Sequence, residues 1–413
     1  MSLDSSEYCL KEINELCKIN SSSYSKKENW EFINYLDTKN IIKGEINEIK
    51  FLDPEIDKVP SRAKRKVNID DIIISTVRPN QEHYGIIKKE FDNFLVSTGF
   101  TTLTVDTSQA VPEFIYYYIT QPHITQSLQT IAEQSTTSYP SVKPSDIGNL
   151  VVELPSLDIQ NKIANMLTSI ENKININKEI NRNLAKLIDL SFKNYLLNFD
   201  KYAEDELASS EFGPIPKGWK VSNLTGIANY QNGLAMQKFP PESSEESFKV
   251  LKIKELRQGY FDETSDSCSK NIKEECIVYD GDVIFSWSGS LLVDIWTGGM
   301  CGLNQHLFKV TSSNFDKWFY YCWTKFYLDQ FILIAKDKAT TMGHIKRKHL
   351  DESLVLIPDN MAYKKLTNLF KPLFDYLIKN KMEIKNLQKL RDTLLPKLMS
   401  GEIDVSEINC DLE

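Results

Sequence analysis

Cationic side chains collect in two short stretches of the sequence, and their chemistry suits an anionic partner. The first stretch places five cations and no acid within nine residues: Lys58, Arg62, Lys64, Arg65 and Lys66. The second stretch contains His344, Lys346, Arg347, Lys348 and His349. Lys and Arg neutralise nucleic-acid phosphates and so position a duplex without reading its sequence. The alternative is that each stretch is only a solvated surface.

Base reading requires side chains that offer paired hydrogen-bond donors and acceptors. By residue type, the candidates are Arg78, Asn80 and Gln81 in the first half of the chain and Asn304, Gln305 and His306 in the second. Polar residues near the end of each half add candidate phosphate contacts, namely Thr137, Lys143 and Thr340. Each of these residues could instead have a purely structural role.

Motifs for catalysis, cofactors and metals are missing from the sequence. There is no G-x-x-x-x-G-K-[ST] loop, no G-x-G-x-x-G turn, no H-E-x-x-H, and no Asn-Pro-Pro-aromatic tetrapeptide of the kind amino-methyltransferases use. The acids of residues 53–57 are too crowded for a nuclease metal site, and a turn is the simpler interpretation. The seven cysteines form no CxxC pair, and the five histidines are not spaced as ligands. We therefore expect no catalytic residue, metal or cofactor in this chain.

Length and composition indicate an ordinary globular protein of two or three domains. The chain has 413 residues, of which 41% are hydrophobic and 26% are charged. No apolar run is long enough for a membrane span, and the N-terminus lacks a secretion-signal pattern, so we expect a cytoplasmic location. The net charge of −8 does not suggest a nucleic-acid binder, but a binding face needs only local positive charge.

The sequence contains one unit twice. A shift of 203 positions places Leu154-Pro155 on Ile357-Pro358 and Thr137 on Thr340, and it continues without a gap through the segment that follows. Earlier in each half the match is looser, with residues 71–75 resembling residues 282–286 at a shift of 211. A period this long is a tandem duplication and not a solenoid, whose repeats have roughly 20–50 residues.

Each half ends in a segment whose apolar residues recur at alternating steps of four and three, which predicts a long helix with a coiled-coil seam. The seam residues are Ile163, Leu167, Ile174, Asn177 and Leu184 in the first helix and Leu366, Phe370, Leu377, Asn380 and Leu387 in the second. About 40 residues would give a rod of roughly 60 Å. Asn177 and Asn380 occupy the same position, so they either pair in the seam and fix its register or face solvent beside it.

These patterns predict an α/β (mixed α+β) fold with two globular domains separated by two long helices. We expect domain 1 at 1–157, helical region 1 at 158–199, a linker with domain 2 at 200–358, and helical region 2 with the tail at 359–413. The helices would pack as an antiparallel coiled coil with pseudo-twofold symmetry. Pro372 would either bend the second helix or mark where it restarts.

Two segments carry a family resemblance that extends over essentially the whole chain. Gly-Pro-Ile-Pro-Lys-Gly-Trp at 213–219 opens the second domain, and Leu-Arg-Asp-Thr-Leu-Leu-Pro-Lys-Leu-Met-Ser-Gly-Glu-Ile occupies 390–403. With the domain order, they resemble the specificity subunit (HsdS) of type I restriction-modification systems. One departure is that the Leu-x-x-Gln start of the first helix, 157–160, becomes Asn-Met-Ala-Tyr at 360–363.

The resemblance implies a non-catalytic subunit whose two target-recognition domains each read half of a split, asymmetric DNA site in the major groove. The helices would act as a spacer and dock two methyltransferase subunits, which bring S-adenosylmethionine and methylate adenine. Restriction subunits, with ATP and Mg, would join for cleavage. A rod longer than one DNA turn of about 34–36 Å fits an unread gap between half-sites. Two alternatives are a protein-only coiled-coil scaffold and a self-sufficient DNA methyltransferase or nuclease.

Overall fold

The computed structural model describes residues 8–135, 139–242, 246–337 and 343–408. It shows a mixed α/β protein with two sheet-rich domains and two long helices, which confirms the expected fold class. The chain divides into two compact units: the part up to Asn172 together with the part from Gln388 onward, and Lys173–Leu387. Across the described ranges, no helix is long and apolar enough to cross a membrane.

The first unit contains twelve of the described strands. They are β1 (Cys9–Glu12), β2 (Cys17–Ile19), β3 (Ile33–Leu36), β4 (Ile41–Ile42), β5 (Glu45–Ile46), β6 (Lys50–Leu52), β7 (Ala63–Lys66), β8 (Ile72–Ser75), β9 (Tyr84–Ile86), β10 (Phe94–Ser97), β11 (Phe100–Val105) and β12 (Val151–Leu154). The helices are α1 (Ile13–Leu16), α2 (Pro112–Ile119), α3 (Pro122–Glu133), α4 (Pro144–Gly148) and the start of α5 (Leu157–Phe192).

The second unit contains the remaining described strands. They are β13 (Leu207–Ala208), β14 (Ile215–Pro216), β15 (Lys220–Asn223), β16 (Asn229–Asn232), β17 (Ser247–Leu251), β18 (Ser267–Ser269), β19 (Ile277–Val278), β20 (Val283–Ser286), β21 (Leu292–Ile295), β22 (Cys301–Leu303), β23 (Leu307–Thr311) and β24 (Leu354–Ile357). Its helices are α6 (Leu224–Ile227), α7 (Ile253–Gln258), α8 (Lys317–Phe326), α9 (Leu328–Asp337), α10 (Arg347–Asp351) and most of α11 (Asn360–Met399).

The second unit repeats the sheet topology of the first. Sheets ordered β2-β11-β8-β9 and β6-β3-β10-β7 correspond to sheets ordered β16-β23-β20-β21 and β18-β17-β22-β19. Even the single parallel pair of the second sheet recurs, as β3 with β10 and as β17 with β22. The central strands β8 and β20 are buried along their whole length, as expected for short β-branched or aromatic runs inside a sheet. The duplication is therefore one of fold as well as of sequence.

The tyrosine- and tryptophan-rich helices form the core beneath the first sheet of each unit. Trp318, Phe319 and the two tyrosines that follow are all buried. Residues 112–133 form two helices and not one, because Pro122 lacks the backbone N–H that would continue α2 and begins α3 at its first turn.

The two long helices contact each other in antiparallel direction within each unit. In the first unit, Arg391 Nη1 of α11 lies 2.7 Å from Glu171 Oε2 of α5, and Lys162 Nζ of α5 donates at 2.7 Å to Ser406 O in the segment that follows α11. In the second unit, Lys173 pairs with Glu383 at 3.7 Å, and Asn380 Nδ2 donates to Asn177 O at 3.5 Å. Residue numbers thus rise along α5 as they fall along α11. Coiled-coil pairing along the whole length stays a prediction.

The structure corrects two local expectations. The segment 200–218, expected to be a linker, contains a short folded element: β13 pairs with β14, and Ile215 is buried in the core of the second unit. Of the two alternatives for Pro372, a restart of the helix is wrong, since α11 is one helix from Asn360 to Met399.

The seam asparagines supply a first prediction. Asn177 and Asn380 are 1% and 2% exposed, and the side-chain oxygen and nitrogen of Asn177 have no hydrogen-bond partner. Replacing Asn177 by Leu should therefore raise the free energy of unfolding by about 1 kcal/mol, because unpaired buried polar atoms oppose folding. Urea denaturation of the purified full chain measures this, and a loss of stability would contradict it.

Candidate nucleic-acid interface

In the first unit, two distant polar segments meet at one end of the sheet built on β8. A β-bridge joins Val77 to Ser141, and the Arg78 backbone N donates to Pro140 O at 2.9 Å. The Asn80 backbone N donates to Gln129 Oε1 at 3.2 Å, which fixes the 3-10 turn Pro79–Gln81 on α3. We call residues 77–81 with 139–143 the first loop pair.

The second unit contains the same construction. A β-bridge joins Ser288 to His344, and the Gly289 backbone N donates to Gly343 O at 2.9 Å. These residues lie 211 and 203 positions after their counterparts, which are the two shifts of the sequence repeat. We call residues 287–289 with 343–346 the second loop pair. Thr137 and Thr340 lie outside the described residues.

Other candidates lie at the helix that follows each loop pair. Lys143 and Lys346 are equivalent, exposed, and hold the cap positions before α4 and α10. The Lys143 backbone N donates to Asp146 Oδ2 at 2.7 Å, whereas the Lys346 backbone N donates to His349 Nδ1 at 3.0 Å. Both ammonium groups are therefore carried by a capped backbone of fixed conformation, which suits contacts to an anion.

The basic stretch of the first unit contains both exposed and partly buried side chains. Lys58, Arg62 and Lys64 are exposed, and none of them has an ion pair among the described residues. In β7 the side chains alternate, and Arg65 is half-buried with its Nε donating to Phe100 O at 3.1 Å. Burial lowers the pKa of the Arg65 guanidinium. Arg65 therefore stabilises the fold through this hydrogen bond and is less accessible to a ligand than its exposed neighbours.

Lys66 has a partner that the sequence did not indicate. Its ammonium pairs with Glu28 and lies 5.1 Å from the centre of the Trp30 ring. The hydrogen bond from Lys66 lowers the pKa of Glu28, so this carboxylate is charged at neutral pH. Glu28, which is distant in the sequence, therefore neutralises the charge of Lys66, although the basic stretch itself contains no acid.

The second unit places two histidines around a tryptophan. The Trp287 ring centre lies 6.0 Å from that of His306 and 6.3 Å from that of His344, with Phe308 stacked at 5.7 Å. The Ser288 Oγ lies 2.9 Å from His306 Nδ1. The His306 imidazole is thus oriented by Ser288 of the second loop pair, and its Nε2 lies 3.4 Å from Gln305 Nε2.

Asn304, Gln305 and His306 line a cleft of about 640 Å³ in the second unit, together with Lys252 and Lys254. Asn304 itself is buried and its Oδ1 accepts from the His306 backbone N at 3.2 Å, which makes it a turn residue. Gln305 and His306 remain partly exposed at the wall of the cleft.

Arg347 is exposed in part, but its Nη2 donates to Tyr230 O at 3.1 Å. In the first unit Arg78, Asn80 and Gln81 are all exposed on the first loop pair. The structure therefore brings Arg78, Asn80 and Gln81 together with Lys143, and His306 together with His344 and Lys346. Arg65, Lys66, Asn304 and Arg347 each have a partner within their own unit.

Two residues of these surfaces were not among the sequence candidates. Trp287 forms the centre of the second loop pair, and Tyr139 lies beneath Arg78 with its ring centre 5.1 Å from the guanidinium carbon. The position of Trp287 directly after a buried strand was a usable signal. Nothing local in the sequence marks Tyr139, because its contact with Arg78 spans 61 positions.

The different starts of the two long helices perform the same structural task. Gln160 is buried, with Oε1 accepting from Val111 N at 2.9 Å and Nε2 donating to Pro155 O at 2.8 Å. Its counterpart Tyr363 accepts from Asp316 N at 2.8 Å and donates to Asp316 Oδ2 at 3.1 Å. Each side chain thus holds the cap of the preceding core helix, α2 or α8.

Within the described ranges, no group of three or more His, Cys, Asp or Glu side chains could hold a metal ion. The fold and this surface define a class: a duplicated mixed α/β protein that presents a polar loop pair on each of two sheet-rich domains joined by long helices.

Comparison with known proteins finds relatives of this chain. Residues 5–186 match the "Type I restriction modification DNA specificity domain". The MjaIX specificity subunit of Methanocaldococcus jannaschii is 29% identical over 310 residues, 72% of this chain and 70% of that protein. The HindI specificity subunit of Haemophilus influenzae is 21% identical over 426 residues, 87% of this chain and 93% of that protein.

A solved structure has the same fold. The type I restriction-modification S subunit from M. genitalium is 16% identical with a TM-score of 0.58, and the match covers 96% of this chain and 98% of that one. The chain is similar to type I restriction-modification specificity subunits, in agreement with its sequence resemblance.

Proposed function

We propose that this protein is the non-catalytic, sequence-specific DNA-binding subunit of a type I restriction-modification complex, and that it reads a bipartite asymmetric site. The observation that carries the proposal is the loop pair, which occurs twice at equivalent places while its exposed side chains differ. Both pairs carry an equivalent lysine, Lys143 or Lys346, but only the first presents an arginine, Arg78, and only the second presents a histidine, His344. Two loop pairs with the same backbone construction but different exposed side chains suit the recognition of two different DNA half-sites.

The chemistry of each surface divides into positioning and reading. Exposed lysines such as Lys64, Lys143 and Lys346 suit phosphate contacts, which set the register of a duplex. Arg78, Gln81 and Gln305 have the paired donors or donor-acceptor groups that discriminate base edges in the major groove. The net charge of −8 is compatible with this division, because the cations are concentrated locally.

The proposal extends to partners and location. Two methyltransferase subunits would dock on the long helices and bring S-adenosylmethionine for adenine methylation, and restriction subunits would bring ATP and Mg. The chain itself would bind none of these cofactors and would act in the cytoplasm. A match over most of the length of the MjaIX and HindI specificity subunits supports the assignment of this role.

Binding of the purified full chain to a randomised duplex pool tests the proposal directly. We expect the retained duplexes to share two short sequences at a fixed separation. A chain that retains no duplex would be the protein-only scaffold. A chain that methylates or cuts DNA without partners would be the self-sufficient enzyme.

A second prediction concerns salt dependence. Lys64 is exposed without an ion pair in the described part of the chain, whereas Lys66 is paired with Glu28. Replacing Lys64 by Ala should weaken binding to all duplexes and reduce the slope of log K against log salt concentration by about 1. Lys66→Ala, the matched control on the same strand, should change the slope less. Equal slopes for wild type and Lys64→Ala would show that Lys64 is only solvated.

A further inference from the structure

Arg78 occupies a backbone conformation that its side chain does not favour. Its φ of 49° and ψ of 69° lie in the left-handed region, where residues with a Cβ are strained. The equivalent position in the second unit is Gly289, which has a φ of 66° and makes the same backbone hydrogen bond across its loop pair. Both loops require the left-handed conformation, and only the second uses the residue that adopts it without strain.

The Arg78 side chain also lies over an aromatic ring. Its guanidinium carbon lies 5.1 Å from the centre of the Tyr139 ring, which is itself 59% exposed. An arginine stacked on an aromatic face keeps its in-plane N–H donors directed outward. No ion pair or side-chain hydrogen bond engages these donors within the described residues, so the edge of the guanidinium is available to a ligand.

We infer that Arg78 determines specificity in the first domain by reading one guanine, with its two guanidinium N–H groups donating to guanine O6 and N7. This deepens the proposed function and rests on it. The pairing is the one that the fork geometry of arginine matches best in the major groove. A phosphate contact would need only a charge, which a lysine on a flexible stem supplies, so it would give no reason for a planar guanidinium over the Tyr139 ring.

Glycine at the equivalent position 289 provides a substitution that tests the role of Arg78 without disturbing the loop backbone. Arg78→Gly installs the residue that the second unit uses at the same position, so the variant should melt at or above the temperature of the wild type. Arg78→Lys keeps the charge but removes the planar fork. Tyr139→Phe keeps the stacking face and Tyr139→Ala removes it, which separates a positioning role of Tyr139 from simple folding.

The experiment uses the full chain in complex with its methyltransferase subunits and maps the methylated motif in a randomised duplex library. We expect Arg78→Gly and Arg78→Lys to make a single guanine position degenerate within one half-site. Affinity for the duplex with that guanine should fall by about 5- to 150-fold, with little change for duplexes substituted there. Tyr139→Ala should show part of this loss and Tyr139→Phe should show none.

Two results would overturn the inference while leaving the proposed function intact. One is an unchanged motif in Arg78→Gly. The other is a uniform loss of affinity for all duplexes with a salt slope reduced by about 1, which would make Arg78 a phosphate contact. A wild-type complex without any methylated motif would overturn the proposed function itself. Arg257→Ala, an exposed arginine on α7 of the second unit, is the control that should keep the motif.

Discussion

Replacing Phe370 by Ala is expected to lower the free energy of unfolding by about 3–5 kcal/mol, the range observed for truncating a large buried aromatic side chain. Phe370 is fully buried, and its ring lies 4.6 Å from that of Trp318 at an interplanar angle of 9°. It therefore connects the long helix α11 to the core helix α8 within the second unit. Removing the Phe370 ring leaves a cavity beside Trp318 that the closely packed neighbours cannot move to fill.

The neighbouring Leu369 supplies the matched control. It is 39% exposed, so Leu369→Ala removes a side chain of similar apolar character from the same helical turn with much less loss of burial. Guanidinium chloride denaturation, followed by tryptophan fluorescence, compares the two variants. Equal destabilisation by both would contradict the seam position assigned to Phe370.

Replacing Arg391 by Ala is expected to destabilise the first unit by about 2–3 kcal/mol, because it leaves a half-buried carboxylate without its partner. Arg391 Nη1 lies 2.7 Å from Glu171 Oε2, and the two side chains are 22% and 27% exposed. Burial raises the pKa of the nearby phenols Tyr84 and Tyr116. Residual exposure keeps the effect below that of a fully buried pair.

A double-mutant cycle with Glu171→Gln separates the pair from other contacts. If the ion pair connects α5 to α11, the two changes together should cost less than the sum of the single changes. Strict additivity would show that Arg391 contributes only through packing. Lys389→Ala, on the exposed face of the same helix, should change stability by less than about 0.5 kcal/mol.

The regular parts of the fold were predictable from the sequence because they follow local periodicity. Residues 100–105, a run rich in β-branched residues, form β11, and Ile163 and Leu167 of the predicted seam are buried. Duplication was also visible, since a repeated fold preserves the spacing of its apolar residues even where identities differ.

The candidate site was harder to predict because its contacts join residues far apart in the sequence. Composition could not show that Glu28 pairs with Lys66 or that Tyr139 lies beneath Arg78. It also gave segment 200–218 as a linker, since glycine, proline and acids there conceal the few apolar residues, such as Ile215, that fold it into the core. Residue type thus identified candidate base-contacting side chains. Only the structure shows which of them are exposed and which already have a hydrogen-bond or ion-pair partner within the chain.

The central claim, two separate readers on one chain, is tested most directly by mapping methylated adenines with the methyltransferase complex before and after exchanging residues 8–156 for the same domain of a related subunit. We predict a two-part motif with an unread gap, of which the exchange changes one half and leaves the other half unaltered. A single contiguous motif, or a motif that the exchange leaves unchanged, would contradict the account.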